Sequence, residues 1–104
     1  MNVIFIESER FAKELPKYMN DEEFNAFQQF LGQYPTTGKV IPRSGGLRKI
    51  RWLGNGKGKR GGLRIIYYNQ LLNGEIVLLT IYAKNETDDL TTEQMKCLQE
   101  EIEK

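Results

Sequence analysis

The residues best suited to chemistry in this chain are cations concentrated in its middle. Residues 39–74 carry nine lysines or arginines and no acidic residue. They are Lys39, Arg43, Arg48, Lys49, Arg51, Lys57, Lys59, Arg60 and Arg64. The segments on either side are acidic, so the overall net charge of +1 conceals the contrast. Because so many like charges repel one another, this pattern favours a polyanionic ligand such as RNA.

The composition excludes several common kinds of catalytic site. The chain of 104 residues contains no histidine and one cysteine, Cys97. Histidine-dependent triads, histidine-paired ribonuclease sites and zinc sites of histidine or four cysteines are therefore excluded. An intrachain disulfide is excluded as well. Cys97 itself falls in a helical pattern and is interpreted as a small, partly buried apolar residue.

Arg64 differs from the other cations because the residues around it, 63 and 65–67, are apolar or aromatic. A guanidinium in such a strand must reach an edge, pair with a carboxylate such as Glu75 or Glu86, or contact a ligand. A phosphate would meet a fixed fork of donors there. The ion pair and the phosphate contact both remain open at this point.

A glycine-rich segment precedes Arg64. Residues 54–62 contain five glycines and three cations, Lys57, Lys59 and Arg60. No helix follows the segment, so a Walker or Rossmann phosphate loop is not indicated. The segment is interpreted as a basic hairpin loop, and the alternative is a solvated turn.

Two further sets of residues have simpler interpretations than a functional one. Glu86, Asp88 and Asp89 could hold Mg²⁺, but they are better explained as charges that complement the dipole of the helix after them. Three tyrosines, Tyr67, Tyr68 and Tyr82, could stack bases. At least two of them are expected to be core or sheet-face residues, and Trp52 is expected in the core. The sequence therefore predicts no metal site and no cofactor.

The elements that position these residues follow in the order β-α-α-β-β-β-α. Capping pairs predict two helix starts, Asn20 with Glu23 and Thr91 with Gln94, and a short helix before them ends at Pro16. Strands are predicted at residues 3–6, 47–53, 63–68 and 75–83, and residues 40–41 could add a short edge strand.

The last three long strands predict an antiparallel meander because turn residues separate them, among them the pair at 73–74. Lys84, at the end of the last strand, is therefore expected beside Arg64. Helices grouped before a run of strands indicate an α+β fold with helices on one face of a mostly antiparallel sheet. Residues 1–104 are expected to form a single domain. Apolar runs are too short for a membrane span and no signal peptide is indicated, so a cytoplasmic protein is expected.

Three segments of the chain resemble the HigB-like branch of the RelE/ParE toxin superfamily. They are residues 46–51, 57–68 and 78–86, and the resemblance extends over essentially the whole chain, including the order of elements. It implies a RelE-like fold and the toxin of a type II toxin–antitoxin system. Such toxins are ribosome-dependent endoribonucleases that cut mRNA in the A site and inhibit translation.

The resemblance also implies partners and catalytic positions. A HigA-like antitoxin would neutralise the toxin and would alone contact operator DNA, while the toxin would meet mRNA and 16S ribosomal RNA near the A site. Arg64 matches the catalytic strand arginine, and Lys84 lies at the basic position of the fourth strand. Lys57 matches a catalytic lysine that precedes the arginine, with Lys59 or Arg60 as near equivalents. RelE has a further arginine where Asn85 stands here, and a C-terminal tyrosine, whereas no tyrosine follows Tyr82 in this chain.

Cleavage of RNA by its own 2′-OH needs a base, a stabilised phosphorane and an acid for the 5′-oxygen, but no metal. Arg64 is predicted to stabilise the transition state, because it stays charged. A lysine surrounded by cations loses its proton more readily, so Lys57 or Lys84 is predicted to transfer protons. RNA or ribosome contacts are predicted for Arg48, Lys49, Arg51, Lys59, Arg60 and Tyr82.

Two alternatives use the same residues differently. The basic surface could belong to a non-catalytic RNA- or DNA-binding module. The acidic cluster at residues 86–89 could instead serve a metal-dependent nuclease.

Overall fold

The computed structural model describes residues 3–53, 62–84 and 90–102. Each of its α-helices begins at a residue whose side chain caps the helix. Asn20 accepts a hydrogen bond from the Glu23 N–H at 2.8 Å, and the Glu23 carboxylate accepts one from the Asn20 N–H at 2.9 Å. Thr91 and Gln94 exchange the same pair of bonds at 3.1 and 2.9 Å. Ser8 caps the first helix. Both predicted capping pairs are confirmed.

Five strands and three helices follow one another within the described residues. They are β1 (Ile4–Glu7), α1 (Glu9–Glu14), α2 (Asp21–Gln33), β2 (Lys39–Val40), β3 (Arg48–Trp52), β4 (Leu63–Gln70), β5 (Glu75–Ala83) and α3 (Thr92–Ile102). No helix among these residues is long and apolar enough to cross a membrane.

The strands form one sheet in the order β1-β5-β4-β3-β2. The expected antiparallel meander of β3, β4 and β5 is confirmed. The edge strand β2 exists, one residue earlier than predicted, and pairs only with Arg48 and Lys49. β1 runs parallel to β5, with Ile4 opposite Glu75. The α+β class and the mostly antiparallel sheet are as the sequence indicates.

Both faces of the sheet carry an apolar core. Phe11 of α1 and Phe27 of α2 pack on the face that contains Ile65, whereas Leu98 of α3 packs on the face that contains Ile66. The expected layer of helices on one face therefore describes α1 and α2, and α3 lies on the other face. The physical reason is the nearly continuous apolar run of β4, which exposes an apolar side chain to each face in turn.

Candidate functional site

Arg64 lies at the centre of a row of side chains that crosses the sheet. It is opposite Arg51 of β3 on one side and opposite Tyr82 of β5 on the other. Directly opposed residues of antiparallel strands point to the same face, with Cβ atoms roughly 5 Å apart. Two arginines in that relation cost stability unless anionic groups offset their charges. The two guanidinium groups put donor forks of fixed charge side by side, which matches the geometry of a phosphate.

Lys84 joins this row from the end of β5. Its backbone N–H donates to the Gly62 carbonyl at 3.2 Å, one step beyond the opposed pair of Leu63 and Ala83. Lys84 follows β5 directly, two residues beyond Tyr82, and this backbone bond holds it at the start of β4. The expected proximity of Lys84 to the start of β4 is confirmed.

The turn into β4 depends on a glycine. Gly62 has a φ of +74°, and a Cβ atom there would lie 2.6 Å from Leu53 Cδ2 and 3.0 Å from the Trp52 carbonyl oxygen. A side chain would push β4 away from β3. Gly62 thus holds together the end of the sheet that carries Arg64 and Lys84.

A second row of cations lies one step along the same face. Lys39 of β2 is opposite Lys49 of β3, and Lys49 is opposite Ile66 of β4. We use the term basic face for the four cations that these registers place on one side of the sheet, together with Lys84, which follows β5 beside them. They are Lys39, Lys49, Arg51, Arg64 and Lys84.

Arg48 points to the opposite face of the sheet, because it lies an odd number of residues from both Lys49 and Arg51 in β3. One guanidinium nitrogen donates to the carbonyl oxygens of Gly38 at 2.7 Å and Thr36 at 3.2 Å. Arg48, for which an RNA contact is predicted, therefore does not belong to the basic face. Its hydrogen bonds attach the connection between α2 and β2 to β3.

Tyr67 holds the same connection from beneath. Its hydroxyl donates to the Pro35 carbonyl at 2.8 Å and accepts from the Gly38 N–H at 2.9 Å. Burial raises the pKa of the Tyr67 phenol above its ordinary value of 10.0, and the Gly38 bond and the Arg48 charge offset this only in part. Lys39 follows Gly38 directly, so the connection delivers Lys39 to the basic face. The sequence offered Tyr67 only as a core or stacking residue, and nothing in the local pattern signals this long-range bond.

A cleft of about 590 Å³ opens at the outer edge of β3, beyond the end of β2. We call it the edge cleft. Because the sheet ends there, its walls draw on side chains from both faces of the sheet. They are Phe30, Thr37, Lys39, Lys49, Ile50, Arg51, Trp52, Leu53 and Arg64. None of these residues is acidic.

The other predicted site residues divide into two sets. Tyr82 is 7% exposed and packs in the core beneath α3, and Tyr67 is fully buried. The expectation that at least two of the three tyrosines are core or sheet-face residues is confirmed. Lys57, Lys59 and Arg60 lie outside the described residues, as does the acidic cluster at residues 86–89. Within 3–53, 62–84 and 90–102, no three metal-ligating side chains come together.

The structure excludes one of the two carboxylates, Glu75 and Glu86, that the sequence suggested as ion-pair partners of Arg64. Glu75 is opposite Gln70, and Arg64 is opposite Tyr82 at the other end of β5. Seven residues of strand separate Glu75 from Tyr82, which is roughly 23 Å. Glu75 is therefore too far away, and Glu86 lies outside the described residues.

No known family model matches the chain. Among solved structures, it is similar to the free state of E. coli toxin RelE, determined as a double arginine-to-alanine mutant. The TM-score is 0.59, and the match covers 85% of this chain and 90% of RelE at 13% sequence identity. The chain has the RelE fold. At this level of identity, the similarity shows that the two backbones follow the same path. The chemistry of the sheet depends on the side chains, and most of these differ between the two proteins.

Proposed function

We propose that the chain is the toxin of a type II toxin–antitoxin system and cuts mRNA in the ribosomal A site. The observation that carries the proposal is the row of Arg51 and Arg64 with Lys84 beside it, on a sheet of the RelE fold. A permanently charged donor fork next to a lysine suits cleavage of a phosphodiester. An enzyme that works at the ribosome acts in the cytoplasm.

The reaction follows from the chemistry of RNA. The 2′-OH attacks the neighbouring phosphorus, so that the 2′-O–P bond forms and the P–O5′ bond breaks. A cyclic phosphate remains on one fragment and a 5′-hydroxyl on the other. One group removes the proton of the 2′-OH, another gives a proton to the 5′-oxygen, and a cation stabilises the charge that develops on the phosphorane oxygens.

We assign the phosphorane charge to Arg64, because its guanidinium keeps its charge and can bridge two oxygens. Lys84 is the described candidate for proton transfer, and Lys57 stays a prediction beside it. Lys49 and Arg51, with Lys59 and Arg60 as further predictions, would bind the RNA backbone or ribosomal RNA.

The proposed partners are those of the HigB-like branch. A HigA-like antitoxin would neutralise the toxin and would alone bind operator DNA. Induction of the chain should arrest growth, and co-expression of the antitoxin from the neighbouring gene should restore it. Growth that continues on induction of a folded chain would contradict the toxin assignment.

The catalytic assignment is tested with purified variants on translating ribosomes. Arg64→Ala and Lys84→Ala should each reduce messenger cleavage about a hundredfold or more, since either a general acid–base group or a charge stabiliser contributes at least that much. Arg43→Ala and Lys96→Ala remove one charge each from exposed positions outside the basic face and should cut at the unaltered rate. Full activity in both Arg64→Ala and Lys84→Ala would overturn the assignment.

A further inference from the structure

We propose that the edge cleft is a subsite for one unstacked base of single-stranded RNA, with the ring of Trp52 as its stacking surface. The choice of RNA as ligand rests on the proposed function. The subsite itself rests on three features of the cleft. Phe30 and Trp52 form an aromatic wall, and Lys39, Lys49, Arg51 and Arg64 form a cationic wall. The edge of the sheet lies between the two walls.

The aromatic wall is held in place by its neighbours. Trp52 packs against Phe27 with ring centroids 5.3 Å apart and planes at 74°, and against Phe30 at 5.4 Å and 46°. Trp52 and Phe30 both line the cleft and are both only half-buried. A ring fixed in this way loses little freedom when a base stacks on it.

The cationic wall lies around the edge of β3 from the aromatic one. Strand alternation sends Trp52 to the face covered by α2 and Arg51 to the basic face. The two faces meet at the cleft because β2 ends after its pairs with Arg48 and Lys49. A strand of RNA that crosses this edge can place a base on the aromatic side and its phosphates along Lys49 and Arg51.

The chemistry of the walls selects a single strand. Bases in a duplex are stacked on one another, whereas unstacked bases bind to aromatic rings while cations follow the backbone. The volume of about 590 Å³ lies within the roughly 300–1,000 Å³ of pockets that take small organic ligands. The nine described residues that line the cleft include four cations and no carboxylate, which favours a polyanion over a protein segment. A segment of the antitoxin is the competing occupant in the experiment.

Trp52 makes the test direct, because it is the only tryptophan in the chain. We would follow its fluorescence while adding a five-nucleotide 2′-O-methyl oligoadenylate, which lacks the attacking hydroxyl and cannot be cut. The control ligand is an abasic oligomer of the same length and charge. We expect saturable quenching by the oligoadenylate and at least fivefold weaker binding of the abasic oligomer, since base stacking on aromatic side chains contributes about that much or more.

Two variants separate the wall from its surroundings while Trp52 remains as reporter. Phe30→Leu removes an aromatic ring of the cleft and should weaken oligoadenylate binding at least about threefold. Tyr34→Leu removes a ring that contacts Phe30 at 5.2 Å but does not line the cleft, and should change binding less than twofold. Circular dichroism establishes that both variants are folded.

Three outcomes would overturn the subsite. They are no quenching by the oligoadenylate, equal binding of the abasic oligomer, and quenching by the antitoxin protein when the oligoadenylate produces none. Messenger cleavage on ribosomes is measured separately with the same preparation. Cleavage without base binding removes the subsite and leaves the proposed function standing, whereas base binding without cleavage does the reverse.

Discussion

The side chains around Arg64 show how a strand assigns different tasks to consecutive cations. Lys49 and Arg51 belong to the basic face, while Arg48 next to them donates to Gly38 and Thr36 on the other side of the sheet. The alternation is visible in the sequence, because Arg48 shares its parity with Ile50 and Trp52. The acceptors of Arg48 lie ten or more residues away, and no local pattern could have indicated them.

Tyr67 carries a stability prediction at this scale. Tyr67→Phe should lower the free energy of unfolding by about 1–3 kcal/mol, because the buried Gly38 N–H loses its acceptor. Urea denaturation at neutral pH measures the change. Tyr68→Phe is the matched control, since Tyr68 is only half-buried, and it should alter the stability by less than about 0.5 kcal/mol.

The raised pKa of Tyr67 adds a dependence on pH. The folded phenol keeps its proton at a pH at which the unfolded phenol has begun to lose it. Stability should therefore be constant with respect to this group below pH 10 and fall above it, by at most about 1.4 kcal/mol per pH unit, up to the folded pKa. The decline should be shallower in Tyr67→Phe, and equal slopes in the two proteins would contradict this account.

At the scale of elements, the junction of β3, β4 and β5 determines how Arg51, Arg64 and Lys84 lie relative to one another. The meander and the place of Lys84 beside β4 could be predicted, because turn residues between long β-prone runs determine which strands are neighbours. The face of the sheet that α3 covers could not be predicted. Both faces of β4 are apolar, and Leu98 and Met95 of α3 could have packed on either of them. The parallel pairing of β1 with β5 depends on contacts across most of the chain and has no local signature.

Gly62 provides the prediction for this scale. Gly62→Ala should cost about 2–4 kcal/mol, because it adds a clash with Leu53 and the Trp52 backbone to the strain of a left-handed conformation. Gly45 is the control, since its φ is +76° but the nearest atom to an added Cβ is 3.8 Å away. Gly45→Ala should cost only about 1 kcal/mol. Similar values in urea denaturation would show that the close approach at Gly62 is unimportant.

At the scale of the whole molecule, four cations of the basic segment share one face of the sheet. The stretch of nine cations was the clearest feature of the sequence, and the sheet folds part of it into one surface together with Lys84 from outside it. The number of charges does not show on which face of the sheet each cation lies. Arg48, for example, belongs to the same stretch but lies on the other face. Strand parity and register, rather than composition, determine which cations act together.

This surface should make RNA binding sensitive to salt. For about four neutralised phosphates on a single strand, the logarithm of the affinity should fall with a slope of roughly −3 against the logarithm of salt concentration. Binding of the uncleavable oligoadenylate at several salt concentrations gives the slope. Arg51→Ala should reduce its magnitude by about 0.7, and Lys96→Ala should leave it unchanged. A slope near zero in the parent protein would rule out a phosphate-binding surface.

The pairing of Ile4 with Glu75 also bears on how the chain acquires its structure. Contacts between residues so far apart in sequence form slowly, because a loop of most of the chain must close first. The hairpins of β3, β4 and β5 need only short loops and should form earlier. During synthesis, β1 leaves the ribosome first and yet can enter the sheet only after β5 has followed it. Among the five strands, the one made first is thus paired last, and Phe5, which packs against the core that contains Phe11 and Phe27, keeps no sheet neighbour until β5 arrives.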